Sequence, residues 1–181
     1  YKIAGLVGMP EELHMRILGH PVIATDNDLP QLAKEYQYAL IALGQIKTPD
    51  IRSRFYREAI KLGFQMPTIV SPIAHVSGNA ALGKGTILMH GAIVNACAKV
   101  GNNCIVNTRA LVEHDAIVED HCHISTGSIL NGNVRIGECS FVGSGSILME
   151  GVILGRGCLV GMGLSVRHTL PDGARFLGDR S

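Results

Sequence analysis

The stretch Val100-Gly101-Asn102-Asn103-Cys104-Ile105-Val106-Asn107-Thr108-Arg109-Ala110-Leu111-Val112-Glu113-His114-Asp115-Ala116-Ile117-Val118 carries the beat that decides the fold. An aliphatic residue returns at every sixth place: Val100, Val106, Val112, Val118. A small residue stands four places after each of the first three: Cys104, Ala110, Ala116. Followed outward in both directions, the aliphatic position runs unbroken from Val70 to Val166, and all 17 of its residues are Ile, Leu or Val. The small position, from Ala74 to Leu170, holds Ala, Ser, Thr or Cys at 13 of its 17 places. A fixed short period sustained this long marks a repeat architecture. One aliphatic and one small residue per hexad suit a narrow coil: the first fills the interior, the second lets the strand pass near a corner.

Composition agrees with the beat. The chain has 181 residues, 46% hydrophobic but only 4% aromatic, with 22 Gly and no Trp. Such a core must be aliphatic and regular. Gly83, Gly101, Gly137, Gly143, Gly155 and Gly161 directly follow the aliphatic position, where turns with unusual backbone angles are expected. The pattern resembles the left-handed parallel β-helix of the hexapeptide-repeat acyltransferases. That resemblance implies three hexads per coil, so residues 18 apart stack about 4.8 Å from each other, around a bore too narrow for aromatics.

A net charge of +1 argues against nucleic acid or an anionic membrane as partner. No run of about 18 apolar residues is present, and no basic-then-apolar opening marks a signal peptide. Five scattered cysteines fit reduced thiols and a cytoplasmic location. Cys104, Cys122 and Cys158 occupy the small inward slot as small hydrophobes. Cys97 and Cys139 fall one place earlier, in turn-like slots, where a nucleophilic role is the lesser reading.

Residues 1–69 lack the beat and are expected to form a partial α/β, Rossmann-like domain, with 70–181 as the β-helix. Lys2–Val7 and Tyr38–Leu43 are short apolar runs of strand type. Asp28–Tyr36 and Pro49–Leu62 read as helices, the second with Thr48 as N-cap, Pro49 at its first position and Gly63 as its stop. Alternating strand and helix predict a small βαβ-type parallel sheet. Gly44 follows a strand-type run directly. A ligand phosphate or ribose fits beside such a strand end; a glycine required by the turn is the equal alternative. The chain opens in mid-strand without a Met, so a first βα unit is expected to be missing.

His114 is the third residue of its hexad, beside a turn, with Glu113 and Asp115 flanking it. A carboxylate bonded to one ring nitrogen fixes the tautomer and raises basicity, as a general base requires. A surface histidine beside acids is the plainer reading of the same residues. The run Asn107-Thr108…Val112-Glu113-His114-Asp115…His121-Cys122-His123-Ile124-Ser125-Thr126-Gly127…Asn131-Gly132 narrows the choice. It resembles the NeuD/PglD-type sugar acetyltransferases, which acetylate sialic acids or nucleotide-linked amino sugars, and the resemblance spans essentially the whole chain.

Position by position, the resemblance implies that His114 is the general base and that Asp115 raises its basicity. Asn107 matches an active-site Asn, and Glu113 a flanking acid. His123 matches a histidine that contacts acetyl-CoA, and Gly132 a glycine whose N–H faces the thioester carbonyl. Ser144 and Met162 match backbone contacts to acetyl-CoA. His121 is expected simply to sit in a turn. The family implies direct transfer in a ternary complex, in a homotrimer with its sites between subunits and with no metal required. The chain departs from the family at its start. The Gly-rich loop with a histidine is missing, and Gly8-Met9-Pro10 stands where paired acids are usual. This moves the expected acceptor toward a sialic-acid-like or other non-UDP sugar.

Two other readings share part of this pattern. A γ-type carbonic anhydrase shares the β-helix but carries two His five residues apart, whereas His121 and His123 are seven and nine residues on from His114. A non-catalytic β-helix that only assembles predicts no need for His114 beside Asp115.

Overall fold

A computed structural model of the chain describes residues 1–45 and 48–178. These divide into two compact units, residues 1–39 with 57–65, and residues 40–56 with 66 onward.

The second unit is built on the hexads. Each contributes one two-residue strand, and the strands form three parallel walls. The first wall has seven strands, Ile69–Val70, Ile87–Leu88, Ile105–Val106, His123–Ile124, Phe141–Val142, Leu159–Val160 and Arg175–Phe176. The second has six strands, from His75–Val76 to Ser165–Val166, and the third has five, from Ala81–Leu82 to Ile153–Leu154. Ile105 pairs with Ile87 on one side and His123 on the other, the spacing of 18 expected from three hexads per coil. The register changes only at the end, where Leu159 pairs with Arg175. The aliphatic residues fill the bore: Val94, Val106, Val112, Ile124, Leu130, Val142, Leu148 and Val160 are wholly buried.

The small slot does more than admit a close corner. Thr86 Oγ1 donates to the Gly101 carbonyl (2.6 Å), Ser128 Oγ to that of Gly143 (3.1 Å), Ser140 Oγ to that of Gly155 (3.0 Å) and Ser146 Oγ to that of Gly161 (2.7 Å). The thiols of Cys104 and Cys122 do the same to Glu119 (3.1 Å) and Gly137 (3.2 Å). In each case the acceptor lies 15 residues on. These side chains satisfy carbonyls that the narrow bore hides from water. Burial pushes the Cys122 and Cys158 thiols up, which keeps them protonated donors.

The glycines named from the sequence serve a different end from the one expected. Left-handed backbone falls at every sixth residue from Gly85 to Gly163, including Cys97, Asn103, Arg109, Asp115, His121, Asn133 and Cys139. Gly83, Gly101, Gly137, Gly143, Gly155 and Gly161 are not among these residues. At all of them but Gly161 the next coil leaves no room for a Cβ. A Cβ on Gly83 or Gly143 would lie 2.4 Å from the carbonyl carbon of Gly101 or Gly161.

The first unit holds β1 (Leu6–Gly8), β2 (Arg16–Ile17), β3 (His20–Thr25) and α1 (Leu29–Glu35). β3 is central, parallel to β1 and antiparallel to β2. The β2–β3 loop is Leu18-Gly19, both at positive φ, as a tight hairpin turn requires. β3 lies outside the expected strands, although Val22, Ile23 and Thr25 are good strand formers. The sheet is therefore mixed rather than purely parallel. α1 realises the first expected helix. Asp28 before it accepts from Thr25 N and Oγ1, and those bonds hold its carboxyl below the usual range.

The second helix is α2 (Asp50–Lys61), which begins in one unit and ends in the other. Thr48 Oγ1 accepts from Asp50 N–H (3.2 Å). At the far end Gly63 is left-handed (φ 93°), with Phe64 N–H bonded to Ala59 O and Gly63 N–H to Ile60 O, the paired closure of a Schellman motif. The expected strand Tyr38–Leu43 does not form; only Tyr38 makes a bridge, to Gln65. The reason is that Arg52 takes the carbonyls of Ile41 and Leu43 (2.6 and 2.8 Å), so they are not available to a neighbouring strand.

Candidate active site

His114 follows the strand Leu111–Val112 on a corner of the β-helix. Its Nδ1 lies 2.9 Å from Asp115 Oδ2. Asp115 occupies the left-handed slot of the turn (φ 59°), which swings its side chain back beside the preceding residue. Both side chains are about half exposed (53%). Because a carboxylate accepts, Nδ1 carries the proton and Nε2 of the neutral ring is the basic nitrogen. The Asp115 hydrogen bond raises the His114 pKa, with smaller upward contributions from the charges of Asp115, Glu113 and Glu150 and a partial offset from desolvation. Glu113 is held by Asn95 Nδ2 (2.9 Å), one coil below, and its Oε2 also accepts the His114 N–H (3.2 Å).

Gly132 stands one coil above His114, as 18-residue stacking demands. A Cβ on it would lie 2.6 Å from His114 Cε1 and 2.7 Å from Nε2. The imidazole therefore rests directly on the Gly132 backbone, where only glycine fits. The Gly132 N–H has no hydrogen-bond partner among the described residues. A base and an uncommitted main-chain donor are thus adjacent.

Asn107 and His123 meet on the first wall, on a different corner from His114. Asn107 Nδ2 donates to His123 Nε2 (3.2 Å), and Asn107 Oδ1 accepts from Thr108 N–H (2.7 Å). His123 is buried, and its Nδ1 donates to the Gln45 carbonyl (2.6 Å). Burial first, and then the Arg52 charge, push its pKa down against the opposing Gln45 bond, so the ring is neutral. These two residues line a cavity of about 200 Å³ together with Gly44, Arg52 and Met89. Gly44 lies in an irregular segment, not at a strand end, and a Cβ there would meet open space. Ser144 is exposed, its Oγ 2.8 Å from Ser125 Oγ, and Met162 is exposed as well. Among the described residues no hydrogen bond joins the His114 group to the Asn107 group. His121 is buried in its turn against Tyr56, its Nδ1 2.9 Å from Asn103 Nδ2. Among the described residues no cluster of three His, Cys, Asp or Glu is arranged to hold a metal ion.

Arg52 and Gln45 were missed in the sequence. Nothing in Asp50-Ile51-Arg52-Ser53-Arg54 separates a buried arginine from an exposed one.

The family model described as "Hexapeptide repeat of succinyl-transferase" matches residues 133–167. No curated protein sequence matches the chain. Among solved structures, the acetyltransferase domain of PglB from Neisseria gonorrhoeae, in complex with acetyl coenzyme A, is 33% identical with a TM-score of 0.88, over 96% of this chain and 83% of that one. A mutant GDP-perosamine N-acetyl transferase from Caulobacter crescentus, in complex with CoA and GDP-perosamine, is 34% identical with a TM-score of 0.86, over 91% of this chain and 78% of that one. WeeI from Acinetobacter baumannii shares the fold at 21% identity (TM-score 0.73, 92% and 79% covered). The chain belongs to the hexapeptide-repeat acetyltransferases, whose left-handed parallel β-helix it has. Within them it belongs with the sugar acetyltransferases of the PglD/NeuD type.

Proposed function

We propose that the chain transfers the acetyl group of acetyl-CoA to a hydroxyl or amine of a sugar, with His114 as general base. The observation that carries this is the Asp115–His114–Gly132 stack: an oriented basic nitrogen beside an uncommitted N–H donor. His114 Nε2 takes the proton of the acceptor as its oxygen or nitrogen attacks the thioester carbonyl carbon. The C–S bond then breaks, the acetyl group stays on the acceptor, and CoA leaves with the proton returned by His114. The Gly132 N–H stabilises the oxyanion formed between these steps. His123, Ser144 and Met162 are read as the acetyl-CoA side of the site, with Asn107 an active-site residue bonded to His123. The likeness to proteins solved with acetyl coenzyme A and with CoA supports this reading.

The two residue groups stand on different corners of one chain, which favours a site completed by a second copy in a homotrimer. The second wall supports this: Ile93, Leu111, Ile129 and Ile147 stack along its outer face, and Ile93 and Ile147 are exposed. Gly44, which shares a cavity with Asn107 and His123, is assigned to the place where the acceptor, a nucleotide-linked amino sugar or a sialic-acid-like sugar, meets acetyl-CoA.

The test is to incubate the protein with acetyl-CoA and a panel of amino sugars, nucleotide-linked amino sugars and nonulosonic acids, following free CoA and acceptor mass. A mass gain of one acetyl group with at least one acceptor is expected. Equal transfer by His114→Ala would remove His114 as the base.

A further inference from the structure

His123 is placed in the opposite way to a working base. The Gln45 carbonyl at its Nδ1 only accepts, so that nitrogen carries the proton. Nε2 is then a bare lone pair, and the Asn107 amide donates to it. This settles which way the Asn107 side chain points: Nδ2 toward His123, Oδ1 toward the Thr108 N–H. One of the two Asn107 amide N–H groups is thereby committed, and the other is uncommitted among the described residues.

The arrangement depends on where the Gln45 carbonyl sits, and that segment has no strand to hold it. Arg52 holds it instead. Nη1 donates to the carbonyls of Ile41 (2.6 Å) and Leu43 (2.8 Å), and Nε to that of Asn103 (3.4 Å) on the β-helix. The Gln45 side chain adds a bond from Nε2 to the His121 carbonyl (3.0 Å). Arg52 is 1% exposed and has no carboxylate partner among the described residues. Burial pushes its pKa down to about 10. A buried guanidinium with no counter-ion is a costly way to fill space, and an apolar side chain of similar volume would pack as well. Its planar fork does what an apolar group cannot, which is to fix carbonyls of two separate segments at once.

We infer that Arg52 is a positioning residue of the transfer site: by clamping residues 41–45 onto the β-helix it presents the Gln45 carbonyl to His123, and the resulting tautomer sets the direction of the Asn107 amide. This rests on the reading above of His123 as the acetyl-CoA side of the site and of Asn107 as an active-site residue beside it. The amide then offers its remaining N–H to a carbonyl of the ligand, in a cavity that Arg52, Ile87, Met89 and Ile105 also line.

The first measurement uses the wild-type protein, labelled with ¹⁵N in its histidines. One ring, identified by its loss in His123→Gln, is expected as the neutral Nδ1–H tautomer at neutral pH. An Nε2–H tautomer or an imidazolium there overturns the inference with no Arg52 variant needed. The second uses Arg52→Lys, which keeps the charge but loses the fork. The KM for acetyl-CoA is expected to rise about five- to tenfold, the effect of one misplaced hydrogen bond. The pH profile of kcat should be unchanged, and Asn107→Ala should reproduce the rise. An unchanged KM in Arg52→Lys, or a loss of activity that only follows the folded fraction, overturns it. Should the wild type turn over no acceptor, the transfer reading alone fails. CoA binding by calorimetry to wild type and Arg52→Lys then decides the clamp, and equal affinities overturn it.

Discussion

His114 and His123 stand on the same β-helix, nine residues apart, and have opposite chemistry. His114 is half exposed, bonded to a carboxylate and surrounded by Glu113, Asp115 and Glu150. His123 is buried, bonded to a carbonyl and near the Arg52 charge. In both rings an acceptor fixes the proton on Nδ1. A carboxylate makes the other nitrogen more basic, whereas a carbonyl in a buried setting leaves it a neutral acceptor. The two rings sit at different points of the repeat, His114 on a corner and His123 within a strand, and their neighbours give them opposite chemistry.

The sharpest way to break the comparison is His114→Ala. Removing a general base costs about 10²- to 10⁴-fold in rate. The loss should appear in kcat, measured by CoA release, with little change in melting temperature because the side chain is exposed. A variant as active as wild type would make His114 a surface histidine and nothing more.

Asp115→Asn comes next, with a fall in kcat of about tenfold or more. The sign of its pH effect is fixed. The base acts deprotonated, and Asp115 raises its pKa, so the acid limb of the rate profile should move to lower pH. Asparagine tolerates the left-handed backbone at this position, so the change isolates charge from geometry. An acid limb that stays in place would mean that Asp115 does not tune the base.

Gly132→Ala probes the perch itself. Gly132 is not at positive φ, so alanine suits the backbone, but its Cβ would meet the His114 ring at 2.6 Å. The ring must shift while the coil remains. We expect kcat to fall about tenfold, as a misplaced base does, with stability nearly unchanged. On the His123 side, His123→Leu should spare kcat and raise the KM for acetyl-CoA about fivefold, the value of one hydrogen bond.

How much of this was legible in the sequence follows from range. The six-residue beat repeats a local rule, so the walls, the 18-residue stacking and the seat of His114 beside Gly132 could be read from spacing. The Thr48 and Gly63 ends of α2 were legible for the same reason. What escaped depends on contacts between distant residues. Whether Tyr38–Leu43 forms a strand depends on Arg52, which takes its carbonyls from another segment. The glycines after the aliphatic position looked like turn residues, but the next coil, 18 residues away, dictates them. Residues 22–25 carry an ordinary strand signal, Val22, Ile23 and Thr25 being good strand formers. The setting of His123 was not legible in the sequence. Its partner, the Gln45 carbonyl, is 78 residues away and carries no side-chain signature.

The smallest expected effect separates the two influences on His114. Glu150 lies two coils above it and acts through charge alone, the weakest of the upward contributions. Asp115 acts mainly through a hydrogen bond at 2.9 Å. Glu150→Gln should therefore move the acid limb downward by less than Asp115→Asn does, with kcat at its plateau unchanged. Salt distinguishes the two further. At about 1 M salt the screening length is near 3 Å, so the Glu150 influence should vanish and wild type and Glu150→Gln should share one profile. The Asp115 bond is shorter than that length and directional, so the gap between wild type and Asp115→Asn should persist. If high salt closed both gaps equally, Asp115 would be only one more charge near His114, and the oriented pair would lose its claim to set the base.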